Sequence, residues 1–214
     1  MRSKKELAVR LSMVKGFENP EMREEQYMTP SEIASEILWN ACFRGHIERK
    51  VIVDLGCGTG ILGIGCMLLG AKKVYFVEKD SKALEICREN VKSILGKPES
   101  EEYIEGSIEK FNTKVDTALC NPPFGTKKRH ADAEFLKKAL ETAKVSYSFH
   151  KSSTIPYLKK IAENNGFSLA EKFDFEFMLW NTMGHHTRKR HYIEVSCLAF
   201  CRHSDETTPD ERKA

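Results

Sequence analysis

The residues best suited to chemistry are Asn121-Pro122-Pro123-Phe124, which follow a mostly apolar run from Val115 to Cys120. A strand covered on both faces reads that way. Pro122 and Pro123 offer no N–H to a sheet ladder and fix their own backbone angles, so the strand stops at Asn121. Ligands of open α/β sheets bind beyond the carboxyl ends of the strands, where Asn121 and Phe124 would stand on a stiff turn. Such a turn suits a planar amine or amide whose nitrogen lone pair is delocalised. Two acceptors aimed at its N–H bonds pull the lone pair out of conjugation, and the Asn121 side-chain oxygen and the Pro122 carbonyl are placed to do so. Acceptors fixed before reaction cost no reorganisation during it. Phe124 would stack on the planar group, worth roughly 1–3 kcal/mol for a nucleobase. Asn and Pro are also ordinary turn residues, so these four alone leave a plain strand-to-loop turn open.

A second segment narrows the choice. Gly58-x-Gly60-x-x-Gly63 fits a dinucleotide fingerprint, with Glu78 at a suitable distance for a ribose, which keeps an NAD-type dehydrogenase as a rival. From Asp54, however, the run is Asp54-Leu55-Gly56-Cys57-Gly58-Thr59-Gly60. A carboxylate at the strand end faces a ligand bearing positive charge rather than a pyrophosphate. This pattern resembles motif one of the class I S-adenosylmethionine-dependent methyltransferases, over about residues 51–149. The resemblance implies that the glycines, Gly56 and Gly58 among them, let the backbone approach the methionine part, and that Glu78 holds the ribose hydroxyls. It implies no metal, because a sulfonium is already a good leaving group and an in-line transfer needs mainly positioning. In that superfamily Asn-Pro-Pro-(Phe/Tyr) after the fourth strand marks transfer to a nitrogen of adenine, cytosine or glutamine. Asn121, Pro122, Pro123 and Phe124 are thereby the expected catalytic set.

The flanking residues sharpen the resemblance. Glu25-Gln26-Tyr27-x-Thr29, Asn121-Pro122-Pro123-Phe124-Gly125-Thr126-Lys127, Ala133-x-Phe135-Leu136-Lys137 and His150-Lys151-Ser152-Ser153-Thr154 are similar to the methyltransferase-like protein 5 family. Its members are N6-adenine methyltransferases of small-subunit ribosomal RNA, and the likeness runs over roughly residues 5–201. It implies cofactor contacts from Gln26, Thr29, Asp54, Gly56, Gly58, Thr59, Ile61, Glu78, Ser107 and Ile108. It also implies a small zinc-binding activator subunit paired along the edge of the third strand. Three positions depart from the family pattern: Thr59 stands for Cys, Glu78 for Asp, and Ser107 for an Asp that would accept from the cofactor's adenine amine. Ser107 accepts more weakly.

These residues require a frame that holds them together. Residues 1–15 read as a helix with Leu7, Leu11 and Val14 on one stripe. Thr29-Pro30-Ser31-Glu32 reads as a helix start, with Thr29 as N-cap and Glu32 closing a capping box, and the stripe Ile33, Ile37, Leu38, Ala41 carries that helix to about Phe43. Strands are expected at 51–55, 73–77, 102–105, 115–120 and 145–149. Helices are expected at 61–69, after Asp80 to about Leu95, around 135–143, and from a cap at Ser152-Ser153-Thr154 to Asn165. Residues 167–179 and 192–201 alternate as two strands whose short connection makes them antiparallel. The fold class is α/β: a Rossmann-like, mostly parallel seven-stranded sheet with a C-terminal antiparallel hairpin and an N-terminal helical extension. Residues 1–45 form that extension, 46–202 the methyltransferase domain, and 203–214 a polar tail expected to be disordered.

The chain of 214 residues, 41% of them apolar, suits one domain. No apolar run approaches the ~18 residues of a membrane span, and no signal-peptide core follows Met1-Arg2-Ser3-Lys4-Lys5-Glu6, so a cytoplasmic or nuclear protein is expected. Seven cysteines without a Cys-x-x-Cys pair read as reduced, mostly buried thiols. His185, His186, His191, Cys197 and Cys201 match no standard zinc spacing. The formal charge is +3, but the tail from His203 carries −2, leaving +5 on the body. Lys127, Lys128 and Arg129 begin three residues after Phe124, and with Arg188, Lys189 and Arg190 they are expected to hold RNA phosphates. The sequence reading is therefore an RNA adenine-N6 methyltransferase using S-adenosylmethionine. The alternatives are a glutamine N5-methyltransferase acting on a release factor and an RNA-binding scaffold with a vestigial site.

Overall fold

The computed structural model describes residues 1–17, 28–123, 131–181 and 189–203. Seven strands form one sheet: β1 (Val51–Leu55), β2 (Lys73–Glu78), β3 (Glu101–Glu105), β4 (Val115–Cys120), β5 (Ala143–Lys151), β6 (Phe167–Asn181) and β7 (Lys189–Arg202), in the order β3-β2-β1-β4-β5-β7-β6. All neighbours from β3 to β5 run parallel. β7 enters antiparallel between β5 and β6.

Side chains alternate across the sheet, and the two sets enter different cores. Ile52, Val74, Phe76, Leu119, Tyr147, Phe149 and Cys197 pack against helices α1 (Lys4–Leu11), α2 (Ser31–Phe43), α3 (Ile61–Leu68) and α4 (Ser81–Leu95). Val53, Leu55, Val77, Ala118 and Cys120 face the other way, toward α5 (Ala131–Thr142). Leu198 and Phe200 meet α5 and α6 (Ile155–Asn164). Both faces are covered, which is why the central strands read as unbroken apolar runs.

Several expected boundaries move. α1 ends at Leu11, four residues before the expected end at residue 15, although Leu7, Leu11 and Val14 are all buried as the stripe predicts. Thr29 is not the N-cap of α2. That position falls to Pro30, with no side-chain cap, because the Thr29 hydroxyl is engaged by Asn121 instead. Glu32 closes no capping box; its carboxylate accepts from the Ser31 hydroxyl. Ser152-Ser153-Thr154 likewise does not cap α6: these residues form a 3₁₀ turn, Thr154 donates back to the Lys151 carbonyl, and α6 starts without a side-chain cap. In each case a serine or threonine hydroxyl found a nearby partner other than the helix end. Gly65 lets the helical layer close, since a Cβ there would run into the Leu38 side chain of α2.

Candidate active site

Strand register brings the candidate residues to one edge. Leu55 lies level with Val77 of β2 and with Cys120 of β4, so the loop after β1, Glu78 and Asn121 leave the sheet side by side. β1 has neighbours on both sides whose crossovers run in opposite directions, and such a switch point opens a crevice. A cleft of about 450 Å³ lies there, of a size suited to a cofactor. Thr29, Asp54, Gly56, Gly58, Thr59 and Ile61 line it, and so do Glu78, Ser107, Ile108, Asn121 and Pro123. Pro122 is buried between the last two.

The glycine loop is shaped by backbone that other residues rarely adopt. Gly60 starts α3 at φ 93°, and a Cβ there would come within 2.5 Å of the Cys87 sulfur. Gly58 at φ 54° lies beneath the Phe17 ring, 2.9 Å from where a Cβ would stand. Asp54 is almost wholly buried and accepts the Gly63 N–H at 2.8 Å. Burial pushes its carboxyl up to about 7; the Gly63 bond opposes this and the nearby Glu78 charge adds to it. An acid held near neutrality is ready to ionise when a positive group arrives. Glu78 is tied by backbone donors: Gly58 N–H at 2.9 Å on one oxygen, Lys79 and Asp80 N–H at 2.8 and 3.0 Å on the other. Ser107 caps the short 3₁₀ turn Ile108–Lys110, accepting from Glu109 N–H at 3.4 Å.

Across the cleft, the Asn121 side-chain nitrogen donates to the Thr29 hydroxyl at 2.9 Å. Beneath the motif, the Cys120 thiol donates to Ser148 at 2.9 Å. His150 is fully buried, with Nδ1 3.6 Å from an Asp132 oxygen at the start of α5.

The residues therefore fit S-adenosylmethionine. Thr59 Oγ1 is a buried cleft atom with no hydrogen-bond partner among the described residues, and the acidic side chains of Asp54 and Glu78 line the same cleft as the glycine loop. Gln26, Phe124, Lys127, Lys128, Arg129 and Arg188 lie outside the described residues, and for Lys189 and Arg190 only their place in β7 is described. Sequence reasoning missed Phe17 and Phe135, which line the cleft, and Asn90. Buried Asn90 donates to the carbonyls of Thr59 and Lys15 and accepts the Lys15 N–H, tying the N-terminal segment to the glycine loop. An asparagine between the inward positions Cys87, Val91 and Ile94 of α4 was a signal that could have revealed it.

The profile of the methyltransferase small domain family matches residues 30–148. An rRNA N(6)-adenosine-methyltransferase, Mettl5, of Drosophila melanogaster is 34% identical, over 89% of this chain and 92% of its own. The Danio rerio protein of the same name is 33% identical, over 92% and 97%. The chain belongs to the methyltransferase-like protein 5 family. A crystal structure from Pyrococcus horikoshii, proposed by its description to be an RNA methyltransferase, superposes with a TM-score of 0.85 at 40% identity, covering 94% of this chain and 98% of that one. The fold is thus that of a class I methyltransferase, as the sequence reading expected, and the cofactor of this methyltransferase is S-adenosylmethionine. The dehydrogenase reading falls, and these relatives favour RNA over a protein glutamine as substrate. Among the described residues no helix is long and apolar enough to cross a membrane, no group of His, Cys, Asp or Glu is arranged to hold a metal ion, and the cysteines are free thiols.

Proposed function

We propose that this protein transfers a methyl group to the N6 of one adenine in small-subunit ribosomal RNA. The observation that carries the reading is Asn121, held at the wall of the cofactor cleft at the end of β4 by a hydrogen bond from its amide nitrogen to Thr29. With the nitrogen end held there, the oxygen is the end assigned to the target amine. The Asn121 oxygen and the Pro122 carbonyl then accept from the two N–H bonds, and Phe124 stacks on the base. Bound S-adenosylmethionine supplies a methyl on a sulfonium leaving group. Asp54 and Glu78 hold its charged and hydroxyl-bearing parts, and Thr59, Ile61, Ser107 and Ile108 close the cleft around it. The target amine loses its proton only after the methyl arrives, so no side chain is needed as a general base. A target within a duplex must first be extruded, at a few kcal/mol.

Lys127, Lys128, Arg129, Arg188, Lys189 and Arg190 are assigned to phosphates of the RNA. An activator subunit is assigned to β3, an end strand of the sheet with a partly exposed face. Radiolabelled methyl transfer onto unmodified small-subunit RNA, with and without such a subunit and with a release-factor protein in parallel, tests the reading. Label recovered as N6-methyladenosine supports it. Label confined to protein assigns the enzyme to glutamine instead.

A further inference from the structure

The hydrogen bond between Thr29 and Asn121 leads further, on the basis of the methyl-transfer reading above. A primary amide carries an acceptor at one end and two donors at the other. Only the oxygen end serves a reaction at an amine, because an N–H facing an N–H repels the substrate and draws nothing from it. The last torsion of asparagine is broad and roughly two-fold, so the side chain does not choose between its ends unaided. The structure places Asn121 Nδ2 2.9 Å from Thr29 Oγ1. Thr29 is 2% exposed, precedes α2 and lines the same cleft as Asn121 and the glycine loop.

A hydroxyl can accept or donate. Its lone pair is reserved for Asn121 when its own proton is given to something else. Among the described residues the Thr29 hydroxyl accepts from Asn121 and donates to no partner, so its proton is left for the cleft. We propose that Thr29 is a positioning residue: it donates its hydroxyl proton to an acceptor of the bound cofactor, and so holds Asn121 with Oδ1 toward the target amine. The orientation already present in the free protein is then locked when the cofactor takes the hydroxyl proton, because Thr29 can no longer donate to the amide oxygen instead. An N-terminal residue 92 positions away in sequence thereby governs the catalytic turn.

The test compares Thr29→Val, which replaces the hydroxyl by a methyl of similar size, with Thr29→Ser, which keeps it. At saturating cofactor, Thr29→Val is expected to lower kcat about 10- to 100-fold, the loss of one oriented hydrogen bond. The KM for RNA should stay within about twofold of wild type, and Thr29→Ser should recover most of the rate. The second readout needs no turnover. The side-chain amide of Asn121, labelled with ¹⁵N and identified by its loss in Asn121→Ala, is followed while S-adenosylhomocysteine is added. Its resonances should shift in wild type and Thr29→Ser but not in Thr29→Val. If Thr29→Val does not fold, Thr29→Ala is read in the same way. A wild-type kcat in the hydroxyl-free variant, or an amide response identical with and without the hydroxyl, overturns the proposal. If wild-type enzyme fails to methylate RNA while the amide response depends on the hydroxyl, the substrate reading falls and the role of Thr29 stands.

Discussion

Replacing Asp54 by asparagine should stabilise the free protein at pH 8 and weaken cofactor binding there. The carboxyl is 1% exposed, and burial pushes its pKa from 3.8 to about 7, against the Gly63 hydrogen bond and with the help of Glu78. The folded state thus keeps this proton longer than the unfolded chain does. Its contribution to stability is fully present below pH 3.8 and is lost as pH rises through about 7. At roughly 1.4 kcal/mol per pH unit, that interval amounts to about 4 kcal/mol. Asp54→Asn keeps an oxygen for the Gly63 N–H and never ionises, but its new N–H₂ lacks a partner, which costs about 1–3 kcal/mol. The variant should therefore be less stable than wild type at pH 4 and more stable by about 1–3 kcal/mol at pH 8. Over the same change, loss of a charged acceptor facing the cofactor's positive groups should weaken S-adenosylmethionine binding about 10- to 100-fold. Thermal denaturation of both proteins at pH 4, 6 and 8, with calorimetric cofactor titration at pH 8, reads both effects. A stability difference that does not change with pH, or unaltered cofactor affinity, would refute the reasoning.

Asn121→Ala should abolish methyl transfer while cofactor affinity stays within about threefold, if the lost group serves the transition state as proposed; equilibrium titration beside a single-turnover assay separates the two. Ser107→Asp should tighten cofactor binding about 3- to 10-fold, because an ionised acceptor replaces a hydroxyl now occupied in capping, and calorimetry at pH 7.5 reads it. Gly63→Ala would drive a methyl into the Phe76 ring. A cost of about 2–3 kcal/mol should appear as a Tm lower by roughly 5–10 °C.

Much of the frame was visible in the residues because it depends on short-range rules. The alternation that sends Ile52 to one core and Val53 to the other is a property of any strand. The weak apolar content of Glu101–Glu105 matched its place at the end of the sheet, and Asp80 caps α4 through its own neighbours, the N–H groups of Lys82 and Ala83. Misplaced boundaries cluster at Thr29 and at Ser152-Ser153-Thr154, where a hydroxyl could satisfy a helix end or a partner elsewhere. Spacing cannot decide between them, because the competing partner of Thr29 lies 92 residues away.

The sequence by itself determined the cofactor class and where the chain leaves β4 on a polar, proline-stiffened turn. An acid, three glycines and Asn-Pro-Pro-Phe carry their backbone limits and hydrogen-bonding ends wherever they stand. Tertiary structure alone decided which end of the Asn121 amide is held, how far burial lifts Asp54, and that Phe17 and Asn90 reach the glycine loop. Each of these depends on the distance between groups remote in the chain and on the water excluded around them, and both quantities exist only once the layers have packed.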